Sequence, residues 1–234
     1  MNRLKYKIKL IGQNNPFLYK FIKKNVPYNT RNYDHIITKN SSICIEGYPS
    51  SANSFTKYII NILIADEGVV YHSLHALANV KLAVKYIVPC IVLLRDPVDA
   101  ITSSHVRFSK TMNLNIDNFI YRYINFYKGV SNILYGCKIV HFTDIINLDK
   151  EYLKKLVEYL CLDINVEHFD IDKLVKKSLV NLKKHEVKKN IGIREALPNS
   201  EREKKKTAYK KEVLQNKLIS EAYNIYNKLV HIKL

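Results

Sequence analysis

Along the middle of the chain, short unbroken apolar runs alternate with stretches whose apolar residues recur at helical spacing. Residues 43–48 read as a strand, closed by the turn Pro49-Ser50-Ser51. Beyond it Phe55, Ile59, Ile60, Leu63 and Ile64 fall on one face of a helix over 53–64, with Asn53 or Ser51 as N-cap. Residues 69–71 read as a short strand and 78–86 as a helix. Cys90–Leu94 is apolar throughout and bounded by Pro89 and Arg95-Asp96-Pro97, the pattern of a strand covered on both faces. Pro97 suits a first helical turn. An aromatic-rich helix over 115–134 (Phe119, Tyr123, Phe126, Tyr127), a strand at 138–142 and a helix at 151–160 follow. Such alternation predicts a parallel sheet with helices on both faces. The first 40 residues are basic and aromatic with little periodicity, whereas 201–230 read as one long helix striped by Leu214, Leu218, Ala222, Ile225 and Leu229. The expected architecture is one three-layer α/β domain over 1–234: a basic segment at 1–40, an α/β core at 43–162, and a basic helical C-terminal extension at 173–234.

Composition narrows the function classes. With 47% hydrophobic and 25% charged residues, the 234-residue chain is neither disordered, collagen-like nor a coiled-coil rod. Its six glycines compare with roughly 16 at average usage, and no G-x-x-x-x-G-K-[ST] string occurs, so a glycine-built phosphate loop is not expected. Lys and Arg number 38 against 21 Asp and Glu, a formal charge of +17 that favours polyanions. Between 173 and 217 the count is 15 to 5. A Lys- and Asn-rich composition produces the same surplus, so charge alone selects no partner. Cys44, Cys90, Cys137 and Cys161 form no C-x-x-C and no zinc spacing with the eight histidines. Cys44, Cys90 and Cys161 sit in apolar runs, as buried free thiols would in a reducing compartment. No apolar stretch approaches the roughly 20 residues of a spanning helix, and none resembles a signal peptide. A cytoplasmic protein is expected.

Two strings carry chemistry. In Cys44 to Ile60, a buried strand turns sharply into a helix, which offers backbone N–H groups and a positive dipole end at one point. Ser50, Ser51, Ser54 and Thr56 are small there and can donate to phosphate oxygens. In Arg95-Asp96-Pro97-Val98-Asp99, an arginine leaves a buried parallel strand at the edge where α/β sheets bind ligands. Ser103 follows about two helical turns on, so both side chains can address one anion, and Arg supplies the fork that phosphate favours. Asp96 or Asp99 is the alternative partner of Arg95.

Together these strings resemble the sulfotransferases that use 3′-phosphoadenosine 5′-phosphosulfate (PAPS), whose fold is P-loop-like. The family's 5′-phosphosulfate loop, Y-P-K-S-G-T-T-W, is matched by Tyr48-Pro49-Ser50-Ser51-Ala52-Asn53-Ser54-Phe55, and its R-N-P-K-D-x-x-x-S motif by Arg95 to Asp99 with Ser103. Leu74-His75-Ala76-Leu77 is similar to K-T-H-L-P, and Phe142-Thr143-Asp144-Ile145 to a Y-E-D-L element. A bacterial branch with P-R-S-A-N-S-F loops and H-x-H-A-P-A-N-V strings looks closer still, and its late P-S-x-x-R element is similar to Pro198-Asn199-Ser200-Glu201-Arg202.

The resemblance implies that Ser50, Ser51, Ala52, Asn53, Ser54 and Phe55 cradle the 5′-phosphosulfate of PAPS or the 5′-phosphate of its product, 3′-phosphoadenosine 5′-phosphate (PAP). Arg95 and Ser103 would hold the 3′-phosphate, and His75, with His72 as competitor, would deprotonate a small-molecule or glycan acceptor. The +17 charge would suit an acidic one. One departure stands out: the family's loop Lys or Arg is Ser50 here, which removes a cation worth on the order of 10²–10³ in rate. Lys57 lies one turn further on. The rival expectation is a non-catalytic nucleotide or polyanion binder on the same scaffold. Nucleic acid is compatible with the charge, but no nucleic-acid motif is present.

Overall fold

The computed structural model describes residues 10–25, 36–65, 70–72, 75–188, 200–232 and 234. Four parallel strands form the sheet, β1 (Ile43–Gly47), β2 (Val70–His72), β3 (Cys90–Leu94) and β4 (Lys138–His141), in the spatial order β2-β1-β3-β4. Register pairs Cys44 with Cys90 and Gly47 with Leu93, and Leu93 with Val140. The helices are α1 (Pro16–Asn25), α2 (Asn53–Leu63), α3 (Leu77–Tyr86), α4 (Pro97–Met112), α5 (Ile116–Ser131), α6 (Phe142–Ile146), α7 (Lys150–Tyr159), α8 (Ile171–Lys188), α9 (Ser200–Leu214) and α10 (Ile219–Leu229).

Alternating strand residues divide the core into two. Cys44, Cys90, Val92, Leu94 and Ile139 pack with α3, α4, α5 and α10, while Ile43, Ile45, Ile91, Leu93 and Val140 pack with α2, α7 and α8. Period-2 side-chain alternation with both faces covered gives the expected three layers. The chain leaves β1 for β2 on one side and returns to β3 on the other. The carboxyl ends of β1 and β3 therefore form the switch point at which open α/β sheets bind ligands. No helix among the described residues is long and apolar enough to cross a membrane.

Several expectations need correction. The expected helix over 201–230 is two helices, because Asn216 spends its side chain locally: its Oδ1 accepts from the Leu218 N–H at 3.0 Å, and its amide donates to Asp117 at 2.6 Å. The N-terminal segment holds α1, started by Asn15 Oδ1, which accepts from the N–H groups of Phe17 and Leu18. Its period is masked in the sequence because Phe17 and Phe21 stay exposed while Tyr19 is buried. Cys161 is exposed, since it follows α7 in a left-handed conformation (φ 53°) that turns it outward, whereas Cys137 is buried. The N-cap of α2 is Ala52, not Asn53 or Ser51: the Asn53 amide is drawn back to the Tyr48 carbonyl at 3.0 Å. Val69, Leu74, Pro198 and Asn199, and the side chain of His72, lie outside the described residues.

Candidate functional site

The loop between β1 and α2 is shaped without glycine. Ser50 (φ 68°) and Ala52 (φ 69°) are both left-handed, a conformation that costs an L-residue roughly 1–2 kcal/mol. Right- and left-handed residues in close succession turn backbone N–H groups inward as an anion-binding concavity. The N–H groups that open α2 point the same way, since a first helical turn leaves them unpaired within the helix. Gly47 precedes the loop where space is short: a Cβ there would come within 2.8 Å of both the Leu93 carbonyl oxygen and Asn53 Oδ1. The Ser50 hydroxyl is buried with no partner among the described residues. Lys57 does extend from α2, its ammonium 6.0 Å from the centroid of the Tyr58 ring.

Arg95 closes the loop from the neighbouring strand. Its Nη1 donates to the Ser50 carbonyl at 2.7 Å, its guanidinium lies 4.1 Å above the Phe142 ring, and its buried Nε has no partner among the described residues. The aspartates have other work. Asp96 caps α4 by accepting from the Asp99 N–H at 3.0 Å and also accepts from the Tyr223 hydroxyl, while Asp99 pairs with Lys210 at 3.3 Å. Burial pulls the Arg95 pKa down, and the like charge of Arg202 pulls the same way against Asp99.

Ser103 does not meet Arg95 directly. Its buried hydroxyl accepts from Arg202 Nη2 at 2.6 Å, which brings the start of α9 onto α4. Arg202, itself buried, is thus the contact that the late Pro198-to-Arg202 string hinted at without assigning it a role. Beside it on α4, Thr102 and Ser104 carry buried hydroxyls without partners among the described residues.

Helix α5 holds the loop and β3 in register through tyrosines. Tyr127 donates to the Leu93 carbonyl at 2.6 Å and accepts from the Tyr48 N–H at 3.4 Å, and Tyr123 donates to the Arg95 carbonyl at 2.7 Å. Tyr48 in turn donates to the Phe119 carbonyl at 3.0 Å. Strand-end carbonyls and the loop entrance are thereby satisfied from one helix. The aromatic stripe was visible in the sequence, but a stripe of this kind reads equally well as core.

His75 is left-handed (φ 51°), and its Nδ1 lies 2.8 Å from the Gly47 carbonyl. A carbonyl only accepts, so Nδ1 carries the proton and Nε2 of the neutral ring is the basic atom. Burial pushes its pKa down to about 3, Arg122 adds repulsion, and the Gly47 bond acts in the opposite sense. Next to it, Glu46 accepts from the Asn79 amide at 2.9 Å. Two further histidines are buried: His105, wedged edge-on between Phe119 and Tyr209, and His141.

The loop, Arg95 and His75 therefore meet at the switch point, with Ser103 and Arg202 one helix away. No family model matches the chain, and no curated protein does. Among solved structures, the chain is similar to mouse sulfotransferase SULT7A1 complexed with PAP, with 14% identity and a TM-score of 0.47 over 63% of this chain and 68% of that one.

Proposed function

We propose that the protein binds PAPS and transfers its sulfuryl group to a hydroxyl or amine. The observation that carries this reading is the left-handed pair Ser50 and Ala52 in a buried strand–turn–helix, fastened by Arg95 at the sheet's switch point. Residues 50–55 would take the 5′-phosphosulfate on backbone N–H groups and small hydroxyls. Arg95, Ser103 and Arg202 would take the 3′-phosphate, two guanidiniums suiting a dianion. Neutral His75 would accept the acceptor's proton at Nε2 as the new bond to sulfur forms. Burial holds its pKa low, and a bound anionic donor would offset the smaller part that Arg122 and Arg107 contribute.

A second reading, nucleotide binding without turnover, is favoured by one observation: position 50 offers a buried hydroxyl and no cation to the transferring group. The deciding experiment is a thermal shift with PAP, AMP and a short DNA duplex, followed by a transfer assay with PAPS. The proposal expects PAP to stabilise by roughly 2.7 kcal/mol at 100 times its dissociation constant, and AMP by less at the same concentration. Equal shifts with PAP and AMP overturn it. PAP binding without transfer to any alcohol, phenol or amine leaves the second reading.

A further inference from the structure

Helix α5 carries a buried cation that the proposed donor site does not use. Arg122 is only 8% exposed, and among the described residues its guanidinium meets no hydrogen-bond acceptor and no carboxylate within 4.0 Å. A buried charge without a counter-ion is costly, and the usual remedies are a partner or a ligand. Its position follows from helix geometry. Gly129 lies about two turns along α5 on the same face, and it packs so tightly on Leu77 that a Cβ would come 2.0 Å from Leu77 Cδ2. Leu77 opens α3, two residues after His75. Arg122 thus lies on the face of α5 that meets α3, and its charge acts on both His75 and Tyr19 of α1. The buried carboxylate in this region, Glu46, accepts from Asn79 through Oε1, lies more than 4.0 Å from the Arg122 guanidinium, and acts on Tyr19 in the sense opposite to Arg122. A second cation, Arg107 of α4, acts on His75 in the same sense.

We infer that Arg122 anchors an oxyanion on the acceptor, so that the molecule presenting its hydroxyl or amine to His75 is an acid, a carboxylate or a sulfate-type group. The inference rests on the proposed role of His75, and it goes further by naming the substrate class. A guanidinium fork selects an acid over its neutral amide, because the amide leaves the buried charge unpaired.

The test is titration calorimetry on the full chain, with and without PAP, using 4-hydroxybenzoate, 4-hydroxybenzenesulfonate and 4-hydroxybenzamide. At least one acid should bind tenfold or more tightly than the amide, and the better acid identifies the oxyanion. Arg122→Met should erase the preference, Arg122→Lys should keep part of it, and PAP affinity should stay within twofold in both. Arg95→Ala should do the reverse, weakening PAP and sparing the acid preference. Equal binding of acids and amide, no binding by either acid, or a preference that survives Arg122→Met overturns the inference. If PAP fails to bind while the Arg122-dependent preference stands, the donor reading falls and this one remains. Should Arg122→Met not fold, Arg122→Gln and the His75 ring resonances of the wild type decide. Saturating acid should raise the His75 pKa by cancelling the nearby charge, and an unmoved titration overturns the inference.

Discussion

Arg202 Nη2 donates to the Ser103 hydroxyl at 2.6 Å, joining α9 to α4 across 99 residues of sequence. The bond occupies a lone pair of the serine and leaves its proton for an anion, which would then lie beside the guanidinium charge. Arg202→Ala should therefore weaken PAP at least tenfold by calorimetry, and Ser103→Ala should weaken it several-fold, since a charge-assisted contact exceeds a neutral one. AMP affinity should change little in either variant. An equal loss for AMP would place these residues elsewhere than at the 3′-phosphate.

Ser50→Lys restores an ammonium at the loop's third position. Transfer from PAPS, or its hydrolysis, should rise by about 10²–10³ while PAP affinity changes less, because the added interaction strengthens in the transition state. Single-turnover assays on both forms read the two quantities separately. Unchanged turnover with intact PAP binding would remove the loop from the chemistry.

Ala52 bears the cost of a left-handed backbone at φ 69°. Ala52→Gly should raise the urea midpoint by an amount equivalent to at most about 1 kcal/mol, since relief of the strain exceeds the added unfolded-state entropy only slightly. Ala52→Val should lower it by more than Ala52→Gly raises it, because a β-branched side chain fits that region least. A neutral Val variant would show that the loop relaxes out of this conformation.

The His75 pKa falls from 6.5 to about 3 on folding, so between those values the unfolded chain holds a proton that the folded chain does not. Stability is then fully present above about pH 6.5 and declines as pH drops towards 3. His105, lowered by burial, acts with the same sign. His75→Gln should flatten part of the decline in denaturant midpoint between pH 7.5 and pH 5. An equally steep decline in the variant would assign the acid sensitivity to other groups.

Strand and helix order was legible from pattern because β1, β3 and β4 are apolar runs cut off by Pro, Gly or charge, and their bounds fall within a residue of expectation. Places where a side chain overrules the local pattern were not legible. Asn216 breaks an otherwise continuous stripe, and Asn53 abandons the cap position for the Tyr48 carbonyl. The loop was legible as a strand–turn–helix, but its left-handed residues were not, since Ser and Ala carry no signal for positive φ. Arg202 lies in a string of common residue types, and only its meeting with Ser103 gives it a place in the site. Arg122 sits within an aromatic helix that reads as core, and only its burial with no carboxylate within 4.0 Å among the described residues sets it apart.

The tyrosine bridge from Leu93 through Tyr127 to the Tyr48 amide ties the loop's entrance to the slowest-exchanging part of such a fold, its central strands. The cradle cannot open as a lid while the sheet stays closed. Its shape is set before anything arrives, and an incoming anion forfeits little further freedom of the chain to occupy it. Recognition at this loop is then governed by the fit of a fixed mould rather than by closure around the guest. The Tyr48 amide at the entrance should stay protected from hydrogen exchange up to global unfolding, whereas the unpaired N–H groups of the loop should gain protection only when an anion fills it.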